Sequence, residues 1–133
     1  PSANYIPFVI TGNLVFVSGQ VSMADDGLIA GKVGGDVDIE TAQRGARACG
    51  LNLLGQLKIA CGGDLDKVKR VVKLGGFVNA LPDFIHPPTV MNGASDLMVE
   101  VFGDAGRHAR FAVATASLPQ GAAVEVDGIF EIG

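Results

Sequence analysis

The sequence predicts an α+β fold, one sheet with two helices laid on one of its faces. Three observations predict it. Two long segments carry apolar residues at three- and four-residue spacing, the period of a helix with one buried stripe. Five shorter segments rich in Val, Ile, Phe and Leu are bounded by Gly, Asn, Asp or Pro, as strands are. Their order, β-β-α-β-α-β-β, lets sheet and helices share one core. The chain has 133 residues, 48% hydrophobic and 18% charged, the make-up of a folded chain rather than a disordered one. That length fits one domain over residues 1–133.

Pro1 to Pro7 reads as an extended lead-in. Phe8-Val9-Ile10 and Leu14 to Val21 flank the turn signal Thr11-Gly12-Asn13 and predict a β-hairpin. The run Leu14 to Val17 does not alternate, so this strand is expected to be covered on both faces. Gly19 breaks the run and marks a bulge or a close approach to the backbone. Ala24 to Asp36 reads as a Gly- and Asp-rich loop. Its glycines lack the spacing and the Ser or Thr after lysine that a phosphate loop needs.

The first helix is expected from Ile39 to Ala60. Asp38 is placed to cap it, Glu40 suits its dipole, and Gly62-Gly63 ends it. Its stripe is Ala42, Ala46, Cys49, Leu53, Leu57 and Ala60. Cys49 and Cys61 are separated by roughly 18 Å of helix, beyond the ~7 Å Cα separation a disulfide spans. They read as reduced core residues. After a turn at Leu65 to Lys67, one long strand is expected from Val68 to Asn79, with a bulge at Gly75-Gly76. Lys67, Lys69, Arg70 and Lys73 do not share a strand face and read as a solvated edge. A second helix is expected from Pro88-Thr89 to Gly103, with a stripe of Val90, Ala94, Leu97 and Val101 beside Met91, Met98 and Phe102. Two strands close the chain. Phe111, Val113 and Thr115 alternate with Arg110, Ala112 and Ala114, and Val124, Val126, Gly128, Phe130 and Ile132 alternate with Glu125, Asp127, Ile129 and Glu131. A sheet face left uncovered by helices remains apolar, which points to association with further copies of the chain.

The net charge is −4 and the pI about 4.9, which disfavours a nucleic-acid surface. No segment has the length and apolarity of a membrane span, and no leader of the secretory kind is visible, so a cytoplasmic location is expected. Against this background Arg110 and Glu125 stand out. Each is a charge set in an apolar strand, where charges are kept only if paired or used.

Two motifs carry a resemblance that covers almost the whole chain. Gly12-Asn13-Leu14-Val15-Phe16-Val17-Ser18-Gly19-Gln20 is the first. The second is Arg110, with Val113, Ala116, Leu118 and Pro119 after it and then Val124-Glu125. In this order and at this distance they resemble the reactive intermediate deaminase family, also called YjgF-like or Rid. The resemblance implies a chorismate-mutase-like fold, with one curved mixed sheet and two helices on one face. It implies a homotrimer with a pocket at each subunit interface. It implies a cofactor-free hydrolase of the 2-iminobutanoate/2-iminopropanoate deaminase type, which turns amino-acid-derived enamines and imines into 2-oxo acids and ammonia without a metal. In that reading Arg110 binds the substrate carboxylate and Glu125 activates a water or shuttles a proton, while Tyr5, Ser18 and Asn92 line the pocket.

The chain also departs from the pattern. His108-Ala109 stands where the family often has Pro-Ala, Ala112 where it often has Cys, and Val126 where Ile or Met is usual. These differences mark a divergent branch and leave the ligand open. The competing reading is a small-carboxylate binding or regulatory protein on the same trimer. An endoribonuclease is disfavoured by the acidic pI and by the lack of a basic surface with aromatic residues. A tautomerase using Pro1 as base is a further, weaker alternative.

Overall fold

The structure is a computed structural model and describes residues 3–133. Pro1, and with it the tautomerase reading, lies outside the described residues. Seven strands and two long helices follow one another: β1 (Phe8–Thr11), β2 (Leu14–Val21), β3 (Met23–Ala24), β4 (Gly27–Leu28), α1 (Ile39–Ala60), β5 (Val68–Asn79), α2 (Pro87–Phe102), β6 (Ala109–Thr115) and β7 (Val124–Ile132). Five strands form one sheet in the order β1-β2-β7-β5-β6, and β3 pairs with β4 in a small ribbon. β5 and β6 run parallel and every other neighbouring pair is antiparallel. Parallel neighbours need a crossover, and α2 supplies it. The mixed sheet with two helices is the α+β architecture the sequence predicts.

The core lies between the helices and one sheet face. Ala42, Ala46, Cys49, Leu53 and Leu57 of α1 are buried, as are Val90, Met91, Ala94, Leu97 and Met98 of α2. They meet Val15, Val17, Val71, Leu74, Val78, Val124, Val126 and Phe130 from the sheet. Asp38 caps α1, its carboxylate accepting a 2.8 Å hydrogen bond from the Thr41 N–H. That bond holds the Asp38 carboxyl below its usual range. Cys49 and Cys61 are free and buried. Burial pushes the Cys49 thiol far up, and the nearby Glu125 charge pushes it further.

Several expectations need correction. β2 is covered on one face only in the single chain: Val15 and Val17 are buried, while Phe16 is 40% exposed on the face away from the helices. The absence of alternation around Val15 to Val17 reflects an apolar outer face. Gly75 and Gly76 pair in continuous register with both neighbours and make no bulge; the irregularities fall earlier, between Val68 and Arg70 and between Val71 and Lys73. The glycines make room instead. A Cβ on Gly75 would meet Asp127 and the Phe111 ring, and one on Gly76 would meet Met91. β5 is interior, although its first residues overrun β6, which pairs only from Lys73 onward. Lys69 and Arg70 are therefore at an edge in a limited sense. The loop after β2 contains the β3–β4 ribbon. α2 starts at Pro87, and Val101 at its end is exposed. Ala60, at the end of the α1 stripe, is half-buried.

The sheet face opposite the helices is open. Phe16, Phe77, Phe111 and Val113 lie exposed on it. The Phe77 and Phe111 rings meet edge to face at 5.4 Å. Glu125 and Asp127 share this face, because their neighbours Val124 and Val126 turn into the core.

Candidate functional site

β6 is an edge strand, and its residues alternate between the two sheet faces. Phe111 points to the open face, so Arg110 points to the helix side. There α2 presents Pro88, Asn92 and Ser95, spaced i, i+4 and i+7 on one helical stripe. All three hold the guanidinium. One terminal nitrogen donates to the Asn92 side-chain oxygen at 2.9 Å and to the Ser95 hydroxyl at 3.0 Å. The other donates to the Pro88 carbonyl at 3.1 Å. An arginine has five N–H donors, so at least two remain for a ligand. Ser95 also touches the Nε2 of His108 at 2.9 Å, and Nδ1 of that ring lies 2.6 Å from the Gly106 carbonyl. Ser95, Asp96, Val99, Arg107, His108 and Arg110 line a shallow hollow of about 270 Å³.

Glu125 lies elsewhere. It is the second residue of β7, opposite Val21 of β2. The register between β2 and β7 slips between Val17 and Gln20, as a bulge at Gly19 predicts. The Glu125 carboxylate lies across Gly19; any Cβ there would collide with it. The glycine thus gives the carboxylate its seat. Burial raises the Glu125 carboxyl above the usual glutamate range, and the neighbouring Asp127 charge raises it further. Asp127 is raised as well, chiefly by burial, against hydrogen bonding to backbone and the attraction of Lys73. Glu125 accepts no hydrogen bond from the described residues and faces a hollow of about 410 Å³ that it lines with Tyr5, Gly19, Gln20, Gln56 and Gln120.

The five residues picked from sequence therefore fall into two groups. Arg110 and Asn92 are joined directly. Glu125 and Tyr5 share the larger hollow, with Tyr5 half exposed at its rim. Ser18 stands beside this second group, but its hydroxyl donates to the Ile6 carbonyl at 2.7 Å and fastens the lead-in to β2. The groups lie on opposite faces of the sheet, and no ion pair joins Arg110 to Glu125 among the described residues. The intrachain salt bridge that would have made both charges structural is absent there. Ser95 was missed by sequence reasoning. Its only signal was its place on the Pro88–Asn92 stripe, which gains meaning once β6 is known to lie against α2. No cluster of three or more His, Cys, Asp or Glu side chains suited to a metal ion occurs among the described residues. No helix among them is long and apolar enough to cross a membrane.

Comparison with known proteins matches residues 2–130 to the family described as "YjgF/chorismate_mutase-like, putative endoribonuclease". Protein TCP17 of Trypanosoma cruzi is 48% identical over 134 residues, covering 99% of this chain and 83% of its own. The crystal structure of Atu1372 from Agrobacterium tumefaciens, a protein of unknown function, is 52% identical with a TM-score of 0.95, over 98% of this chain and 83% of that one. A Shewanella oneidensis protein called "a putative endoribonuclease" is 33% identical with a TM-score of 0.94, over 99% of this chain and 87% of that one. Sequence motifs, sheet order and these matches agree, and the chain belongs to the YjgF/chorismate-mutase-like family.

Proposed function

We propose that the protein hydrolyses amino-acid-derived enamines and imines to 2-oxo acids and ammonia. The observation that carries this reading is Arg110. Three hydrogen bonds hold its guanidinium at a sheet edge, and free donors remain to take a carboxylate by a two-pronged contact. Glu125 supplies the second half. A carboxyl raised above the usual glutamate range by burial, accepting no hydrogen bond from the described residues and facing a hollow, suits proton transfer.

The chemistry then needs little else. The enamine first tautomerises to the imine, gaining a proton from solvent on carbon and losing one from nitrogen. Glu125 accepts a proton from water as the water oxygen bonds to the imine carbon. It returns that proton to the nitrogen to give a carbinolamine, then relays the hydroxyl proton to the nitrogen as the C–N bond breaks, so that ammonia leaves and the carbonyl of a 2-oxo acid forms. Arg110 holds the adjacent carboxylate, so the reacting carbon is fixed before water attacks.

Within one chain the two groups face away from each other. We propose that an Arg110 and a Glu125 from neighbouring subunits of a cyclic homo-oligomer, a trimer in the family pattern, build each pocket. The apolar open face beside Glu125 supports such an assembly. The endoribonuclease name carried by the family fits less well, since the chain is acidic and phosphate binding calls for a basic surface.

The test is direct. Imines are generated in place from several amino acids by an oxidase or a dehydratase, and their decay is followed. Wild type accelerates decay of at least one imine, while Arg110→Ala and Glu125→Gln each lower the rate about 100-fold or more. If Arg110→Ala matches wild type on every imine, the reading fails. If wild type binds 2-oxo acids through Arg110 but accelerates no imine, the protein is a carboxylate-binding one. Ala112, in place of the usual Cys, is the residue that favours that second outcome.

A further inference from the structure

We propose that Ser95 and His108 form a directed hydrogen-bond relay that positions Arg110, with His108 Nδ1 donating to the Gly106 carbonyl and Nε2 accepting from the Ser95 hydroxyl. The relay rests on the reading of Arg110 as carboxylate anchor.

The direction follows from the two ends. A guanidinium only donates, so the Ser95 hydroxyl oxygen accepts from Arg110 at 3.0 Å. A carbonyl only accepts, so the 2.6 Å contact at the other end requires a hydrogen on His108 Nδ1, donated to Gly106. Between them the Ser95 hydroxyl has one hydrogen to give, and His108 Nε2 is 2.9 Å away to receive it. The acceptor-only carbonyl thus fixes a hydrogen on Nδ1, and the Ser95 hydrogen, with its oxygen turned to Arg110, is left to point at Nε2. Had Nε2 alone carried the hydrogen, Nδ1 would face a carbonyl with no hydrogen between them.

The far end is anchored. Gly106 is buried against the end of α2, and a Cβ there would run into the Met98 carbonyl. The carbonyl that orients His108 is therefore held by the same helix that carries Ser95, Asn92 and Pro88. Asn92 and the Pro88 carbonyl hold Arg110 from the helix start, and the relay holds it from the helix middle. Loss of His108 frees the Ser95 hydroxyl to turn, so the Arg110 fork spreads over more orientations and its two-pronged contact weakens. His108 acts through Ser95 and is a positioning residue.

Two measurements test this on the intact protein. Nitrogen-15 NMR of the histidines in wild type is expected to show His108 with its hydrogen on Nδ1 and none on Nε2. A hydrogen on Nε2, with or without one on Nδ1, overturns the relay, whatever the variants do. Titration with 2-oxobutanoate is the second. Arg110→Ala is expected to abolish binding, while Ser95→Ala and His108→Leu each weaken it about tenfold, as loss of one hydrogen bond to a charged group would. His108→Gln, whose side-chain oxygen can accept near the Nε2 position, restores most of that loss. A merely structural role for His108 predicts no rescue by Gln. If Ser95→Ala and His108→Leu bind like wild type while Arg110→Ala does not, the relay fails and the anchor stands. If Arg110→Ala binds like wild type, the anchor itself fails.

Discussion

Glu125 joins local geometry to two measurable properties. Its seat is Gly19, its neighbour is Asp127, and its carboxyl is raised chiefly because burial disfavours the charged form. A carboxyl whose folded pKa is raised binds its proton more tightly when folded than when unfolded. Stability is therefore greatest near and below the ordinary value of 4.5 and falls as pH rises through the higher folded value. Glu125→Gln is expected to raise the thermal midpoint at neutral pH and flatten its fall as pH rises above the ordinary carboxyl value of 4.5. Asp127 retains a slope of the same sign, and Asp38, whose carboxyl is lowered, contributes the opposite sign only in acid. Thermal unfolding across that range checks it. An unchanged slope contradicts the assignment of Glu125 as a desolvated carboxylate. The same substitution removes the proposed proton carrier, so gain in stability with loss of turnover is the expected combination. His108 shows a different lesson. It departs from the family pattern, and in the structure its ring meets Ser95 and the Gly106 carbonyl rather than solvent alone.

Among elements, α2 does the most for the site, since one polar stripe holds Arg110 while the opposite stripe enters the core. Its seating on α1 depends on Gly93, where a Cβ would strike the Gln43 carbonyl of α1. Backbone cannot move aside as a side-chain tip can. Gly93→Ala is expected to destabilise the fold by about 1–3 kcal/mol, the range for overpacking, read as a shift in the urea midpoint. No shift would mean that the helices are not in contact there. Much at this scale was legible in sequence. Period and capping placed α1 from Ile39 to Ala60, and the Thr11-Gly12-Asn13 turn placed the hairpin. Gly75-Gly76 was misread because a glycine pair in a strand signals a bulge as readily as it signals a large neighbour. Which of the two holds depends on Asp127, Phe111 and Met91, all far along the chain.

For the whole molecule, the main fact is that Arg110 and Glu125 occupy opposite faces of one sheet. Sequence could pair them, because both belong to one motif, but not place them. Facing depends on the register of β6 on β5 and of β5 on β7, and a one-residue slip reverses it. The same separation leaves each half-site open, one at the β6 edge beside α2 and one at Gly19 beside the exposed Phe16, Phe77 and Phe111 surface. The proposed assembly of several copies would bring unlike halves together and cover apolar area at once. The most direct measurement of this account is imine decay by mixed assemblies. Arg110→Ala and Glu125→Gln proteins, each expected to be about 100-fold or more slower alone, are dissociated, mixed in equal amounts and reassembled. Pockets that draw arginine and glutamate from different chains predict recovery to about a quarter of wild-type activity, since about one pocket in four then holds both native residues. A mixture no more active than its two components contradicts it.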